Sequence, residues 1–156
     1  MGKARLILIQ WRKMNKKLKQ FSRFLPPLLW MVFIFYLSSR QKLAVSPNYW
    51  FSFFVFKSLH IIEYGTLFFL WFLALAPNEL SLGRRKKRIR LAIYISFLYA
   101  ISDELHQTLV PTREGRGRDV FIDLLGIILF WKIFLRKFEQ IIKNNRWLGK
   151  IIFLNE

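Results

Sequence analysis

The sequence predicts an all-α, polytopic membrane helix bundle with four transmembrane helices, both termini inside, and basic amphipathic ends. Three observations carry this expectation. Apolar residues make up 54% of the 156 positions and aromatic residues 18%, too apolar for an ordinary soluble domain of this charge. The apolar residues fall in long blocks, at 24–39, 58–76, 91–110 and 120–135, separated by basic stretches. Crossing the hydrocarbon takes roughly 20 residues of helix, with a range of about 17 to 25, and the first and last blocks reach that length through their flanks.

The third observation is the layout of charge. A net charge of +17 invites a nucleic-acid reading, since basic surfaces bind phosphate backbones. The placement of the charges argues against it. Lys3, Arg5, Arg12, Lys13, Lys16, Lys17, Lys19 and Arg23 precede the first block, and Arg84, Arg85, Lys86, Lys87, Arg88 and Arg90 lie between the second and third. Lys132, Arg136, Lys137, Lys143, Arg146 and Lys150 come at or after the end of the fourth. These regions hold 20 of the 26 basic residues and share one side of a four-helix protein. Arg40, Lys42, Lys57, Arg113, Arg116 and Arg118 fall on the other side. Such an imbalance follows the positive-inside rule and makes anionic lipid headgroups, rather than nucleic acid, the expected partner.

Taken in order, residues 1–23 are basic with scattered Leu, Ile, Trp and Phe, and read as an interfacial amphipathic segment. Residues 6–9 form only a short apolar run without small residues after it, so no removable signal peptide is expected. Leu6 stands where myristoylation needs Ser or Thr. The membrane unit spans 24–135, and 136–156 form a basic amphipathic tail. Pro26 and Pro27 open the first helix, where a missing N–H is tolerated, and it runs to Ser38-Ser39-Arg40. Pro47-Asn48 mark a turn in an outer loop 41–50, and Tyr49, Trp50, Phe51, Phe53 and Phe54 suit headgroup depth. The second helix descends from about Phe53 to Ala76, and the tract 83–90 is a cytoplasmic loop. The third rises from about Leu91 to Val110 and stops at Pro111. Residues 112–118 form a short outer loop, and the fourth helix starts near Asp119 and continues past Trp131 along the inner leaflet. The absence of cysteine excludes disulfides and thiolate metal sites.

This topology gathers the polar residues at one depth. Lys57, His60 and Glu63 lie in the first turns of the second helix, spaced by three so that they share a stripe. Asp103, Glu104, His106 and Gln107 end the third helix, and Asp119 and Asp123 begin the fourth. Gly126 shares a face with these last two and would let a neighbouring helix approach closely. Ionisable groups in spanning segments are costly and usually mark function. The expected result is an outward-opening polar pocket lined by the second, third and fourth helices, lidded by the Arg113–Arg118 loop.

The run Asp103-Glu104-x-His106-Gln107, followed by Val110-Pro111-x-Arg113, Asp119-Val120 and Asp123-x-x-Gly126, resembles the signature of VanZ-like membrane proteins. Lys57-x-x-His60 and Glu63-Tyr64-Gly65 fit that family's earlier block. The resemblance covers roughly residues 30–130 and is sharpest over 102–126; Thr112 departs from it where the family often has Gly. It implies a small multi-pass protein of the bacterial plasma membrane, in a family whose name-giving member is linked to resistance to teicoplanin, a glycopeptide that binds cell-wall precursors. A reaction is not implied.

Bland readings stand beside these. Asp103, Glu104 and His106 could be a helix-end cluster solvated at the headgroups, His60 with Glu63 an interhelical lock, and Asp119 a helix cap. The three loop arginines could be counter-charges to the acids or an anion site. His60, Glu63, His106 and Asp103 are the candidate ligands of a metal accepting N and O donors. The same groups suit acid–base hydrolysis of a lipid-linked phosphate with Arg113 holding the anion, or capture of a lipid-linked or cell-wall precursor without chemistry. Proton-coupled transport is a further class, and four helices would then call for a homodimer.

Overall fold

The computed structural model describes residues 21–40, 48–75, 82–111, 113 and 115–144. All regular structure among them is helical: α1 Leu25–Ser38, α2 Tyr49–Ala74, α3 Leu82–Gln107 and α4 Gly117–Leu129. A π-helical turn, Phe130–Phe134, then leads without a break into α5, Leu135–Asn144. Residues 1–20 of the expected interfacial segment, the turn residue Pro47, the expected end of the second helix at Ala76 and the tail beyond 144 lie outside the described residues.

Local chemistry explains most boundaries. Pro26 and Pro27 occupy the first turn of α1, as expected, and Ser38 and Ser39 close it by donating their hydroxyls to Phe35 O at 3.0 and 2.7 Å. α2 begins at Tyr49 rather than near Phe53. Asn48 caps it, its Oδ1 accepting from Trp50 N at 3.0 Å and Phe51 N at 3.2 Å, so the aromatic run forms the first helical turn instead of a loop. The cytoplasmic loop expected at 83–90 is instead the first part of α3. Arg and Lys are good helix formers, and neither Gly nor Pro separates the basic tract from the apolar run beyond Arg90. α3 also ends earlier, at Gln107, and the chain winds on through backbone bonds from Leu109 N to His106 O and Val110 N to Gln107 O.

α2 is the hub, packing against α1, α3, α4 and the π-helical turn. The core is built around its buried face, Tyr64, Leu67, Phe68 and Phe72, with Ile34 of α1, Ala92 and Ala100 of α3, Ile127 of α4 and Leu135 of α5. Two glycines bring α2 and α4 together. A Cβ on Gly126 would lie 2.4 Å from Ile61 O and 2.8 Å from Ile61 Cα, so α4 here rests on the α2 backbone. One turn deeper the relation reverses: Phe130 lays its ring over Gly65, where a Cβ would meet its ring atoms. Phe69 then meets Phe134 and Phe138 edge-on at 5.2 and 4.8 Å, fastening α5 to α2.

Each of α1 to α4 exposes large apolar side chains. Leu29, Val32 and Phe35 of α1, Phe54 and Ile62 of α2, Tyr94 and Leu98 of α3, and Phe121 and Leu125 of α4 are all exposed. By length and composition α2 alone among the described residues is long and apolar enough to cross a membrane. α3 is equally long at 26 residues but begins with the basic tract, and α1 has only 14 residues.

The Gly126 contact sets a testable requirement. Gly126→Leu should drive α4 off α2 and destabilise the protein in detergent by about 1–3 kcal/mol, the usual range for overpacking. Gly117→Ala, whose Cβ meets nothing within 4 Å, should melt with the wild type. Equal melting of both variants would show that the close approach is not required.

Candidate functional site

One end of the bundle is formed by the start of α2, the end of α3 and the start of α4, and polar side chains pair there between helices. Lys57 Nζ lies 2.6 Å from Asp119 Oδ2. One turn deeper on both helices, His60 Nδ1 lies 3.0 Å from Asp123 Oδ1, with the Asp123 side chain only 2% exposed. A further turn along α2, the Tyr64 hydroxyl donates to Asp103 Oδ2 of α3 at 3.0 Å. These rungs follow from spacing. Residues 57, 60 and 64 lie on one face of α2, while 119 and 123 are four apart and lie on one face of α4. The Gly126 contact, three residues beyond Asp123, holds the two faces at bonding distance.

Asp103 is the buried centre of a second chain of bonds. Its Oδ2 also accepts from Gln107 Nε2 at 2.9 Å, one turn along α3, while its Oδ1 is buried without a hydrogen bond among the described residues. Gln107 Oε1 in turn accepts from Arg113 Nη1 at 3.4 Å. Glu104 faces the loop instead, where its Oε1 accepts from the backbone N–H of Arg116. Gly115 packs against this helix end, since a Cβ there would lie 2.8 Å from Glu104 O.

Several residues stand elsewhere than the sequence suggested. Among the described residues Arg113 pairs with no carboxylate: Nε donates to Arg40 O, just past α1, and Nη2 to Leu37 O in its last turn, both at 2.9 Å, so its guanidinium caps the end of α1. Helix C-termini leave carbonyls unpaired, and a planar fork of donors satisfies two of them at once. His106 does not share the inward face of Asp103 and Gln107. It turns toward α1, its Nε2 3.0 Å from Ser39 Oγ and its ring 4.5 Å from that of Phe35. The candidate metal set of His60, Glu63, His106 and Asp103 is therefore not brought together, and no group of three or more such donors among the described residues is arranged to hold a metal ion. Asp119 makes no capping hydrogen bond at the start of α4, where Arg116 is the cap residue. It pairs with Lys57 and lies 3.6 Å from Arg118 Nε, beyond hydrogen-bond reach.

Glu63 is half-buried near His60, Asp103, Asp123 and Arg113, and among the described residues no side chain hydrogen-bonds its carboxylate. Its backbone carbonyl accepts from Trp30 Nε1 at 3.0 Å, tying α2 to α1. Its neighbour Tyr64, fully buried, is the functional-end residue that the sequence did not single out as a site member. The available signal was its position four residues after His60, on the same inward face.

The VanZ/LLP1 family model matches residues 10–141 of the chain. No curated protein matches it. No solved structure matches it either.

Removing the Tyr64 hydroxyl leaves Asp103 with one donor in a buried setting. Tyr64→Phe should therefore cost about 1–3 kcal/mol of stability in a denaturant titration, while Ser102→Ala, exposed and bonded only to Tyr99 O of its own helix, should cost little. Arg113→Lys keeps the charge but loses the fork, and should destabilise by about 1–2 kcal/mol while leaving the other helices packed. Wild-type stability in Arg113→Lys would show that the α1 carbonyls are satisfied without it.

Proposed function

This chain belongs to the VanZ/LLP1 family, and we propose that it is a multi-pass cell-envelope membrane protein whose paired polar end faces outward and engages a lipid-linked or cell-wall-related ligand. The apolar exterior of every helix from α1 to α4 supports a lipid environment. α2 is long enough to span. α4, the π-helical turn and α5 contribute 13, 5 and 10 residues in one continuous rod, which is also long enough. In α3 the apolar run follows the basic tract 84–90, so that tract would sit in the inner headgroup layer with its side chains snorkelling. Both termini then lie inside, and the polar end lies outside.

The observation that carries the proposal is convergence. Three helices bring Lys57, His60, Asp103, Glu104, Gln107, Asp119 and Asp123 to the same end, opposite the basic tract. Ionisable groups within spanning segments are costly, and buried ion pairs commonly stabilise less than apolar packing of equal volume. A set of such pairs is thus an expensive way merely to lock helices that already pack through Gly126, Gly65 and Phe130. Ligand engagement gives the expense a purpose.

The ligand proposed is of the kind that a glycopeptide such as teicoplanin also recognises, so susceptibility is the test. Expression in a glycopeptide-sensitive bacterium should raise teicoplanin tolerance, and Asp103→Ala and Asp123→Ala should abolish the increase at equal levels of inserted protein. A wild type that inserts and leaves susceptibility unchanged, or variants as protective as the wild type, would contradict the proposal.

A further inference from the structure

We propose that His60 and Asp123 form an acid–base dyad that hydrolyses a phosphate anhydride of a polyprenyl-type lipid; this rests on the ligand reading above and adds a reaction to it. The geometry at His60 is that of an oriented base. An ionised Asp123 carboxylate can only accept, so at 3.0 Å it holds the proton on Nδ1 and leaves the Nε2 lone pair to exchange a proton. Among the described residues nothing hydrogen-bonds Nε2. The Asp123 bond orients the ring, and the ring of Tyr64 lies nearly parallel to it, at 15° and 6.4 Å between centroids. The chain has 2 histidines, and the other, His106, already spends its Nε2 on Ser39. A carboxylate that fixes one imidazole nitrogen so that the other can act is the arrangement of hydrolytic dyads and triads.

The cations nearby say what the dyad would act on. Arg113 is committed to the α1 carbonyls and cannot hold an anion without releasing them. Lys57 stands one turn from His60 toward the polar end, and Arg118 is half-exposed beside it; both lie 5.7 Å from the centre of the Phe53 ring. Lys57 and Arg118 share the one carboxylate of Asp119, at 2.6 and 3.6 Å, which leaves one positive charge in excess among these three groups, and Arg118 has donors matched to phosphate oxygens. A terminal phosphate gripped there would sit one helical turn outward from Nε2, within range of a water held between them. In the step itself the water oxygen bonds to the terminal phosphorus while its proton passes to Nε2. The bridging P–O bond breaks, and its electron pair leaves on the lipid monophosphate. Orthophosphate departs and His60 returns the proton to solvent.

The experiment uses the full chain in lipid nanodiscs with a polyprenyl diphosphate, following orthophosphate release and, separately, lipid binding by tryptophan fluorescence. Wild type should release phosphate. His60→Ala and Asp123→Asn, the latter keeping size and a hydrogen-bonding group, should fall at least about 100-fold in turnover while still binding the lipid. Arg118→Ala should raise KM more than it lowers kcat, and Ser102→Ala should match wild type. Binding without release, or turnover that survives His60→Ala, would overturn the dyad while leaving the ligand reading intact. Neither binding nor release would defeat both. Release from inorganic diphosphate at the same rate as from the lipid would overturn the lipid assignment.

Discussion

The closeness of α4 to α2 at Gly126 sets the spacing of every polar pair that bridges these two helices. With the α4 backbone resting on Ile61, short side chains such as Asp119 and Asp123 reach across to Lys57 and His60 without stretched bonds. Any larger residue at 126 would widen the gap by more than a hydrogen bond tolerates. The same constraint reaches further along the seam. Phe130 can cover Gly65 only because the helices are already close, and the π-helical turn that begins there lets α4 pass into α5 while Phe134 and Phe138 still meet Phe69. One small residue thus governs both the polar end and the packing two turns below it.

Much of this was legible in the sequence. The apolar blocks marked the helices, Pro26-Pro27 marked the start of α1, and Gly126 announced a close contact beside Asp123. What the sequence did not reveal has physical causes. The basic tract 84–90 looked like a loop because charge was read as a break, yet its residues are good helix formers continuous with the apolar run. Asn48 was read as a turn residue when its side chain caps a helix. His106 and Asp103 share the candidate metal set, but Gln107, four residues on, is the one that lies over Asp103, and the remaining rotation carries His106 round to α1. Tyr64 was passed over because an aromatic residue in an apolar helix carries no polar signal until its hydroxyl is seen against Asp103.

Arg113 shows how tertiary context reassigns a charge. In the sequence it is the natural partner for five nearby acids or for an anion. In the fold the end of α1 lies beside it, and carbonyls left over by helix termination take its donors first. Lys57 and Arg118 then share Asp119 at this end, and the inward polar groups divide into a chain through Asp103, Gln107 and Arg113 and a pair at His60 and Asp123. Among the described residues, the second imidazole nitrogen of His60 takes no hydrogen bond.

The proposed ligand engagement requires the polar end to lie at the outer face of the membrane. The chain contains no cysteine, so a single Cys can be labelled without background, and Gly117 offers open space beside the site where Gly115 does not. Gly117→Cys in intact cells should react with a membrane-impermeant maleimide added outside. Labelling only after the membrane is permeabilised would put the polar end on the cytoplasmic side and contradict the account.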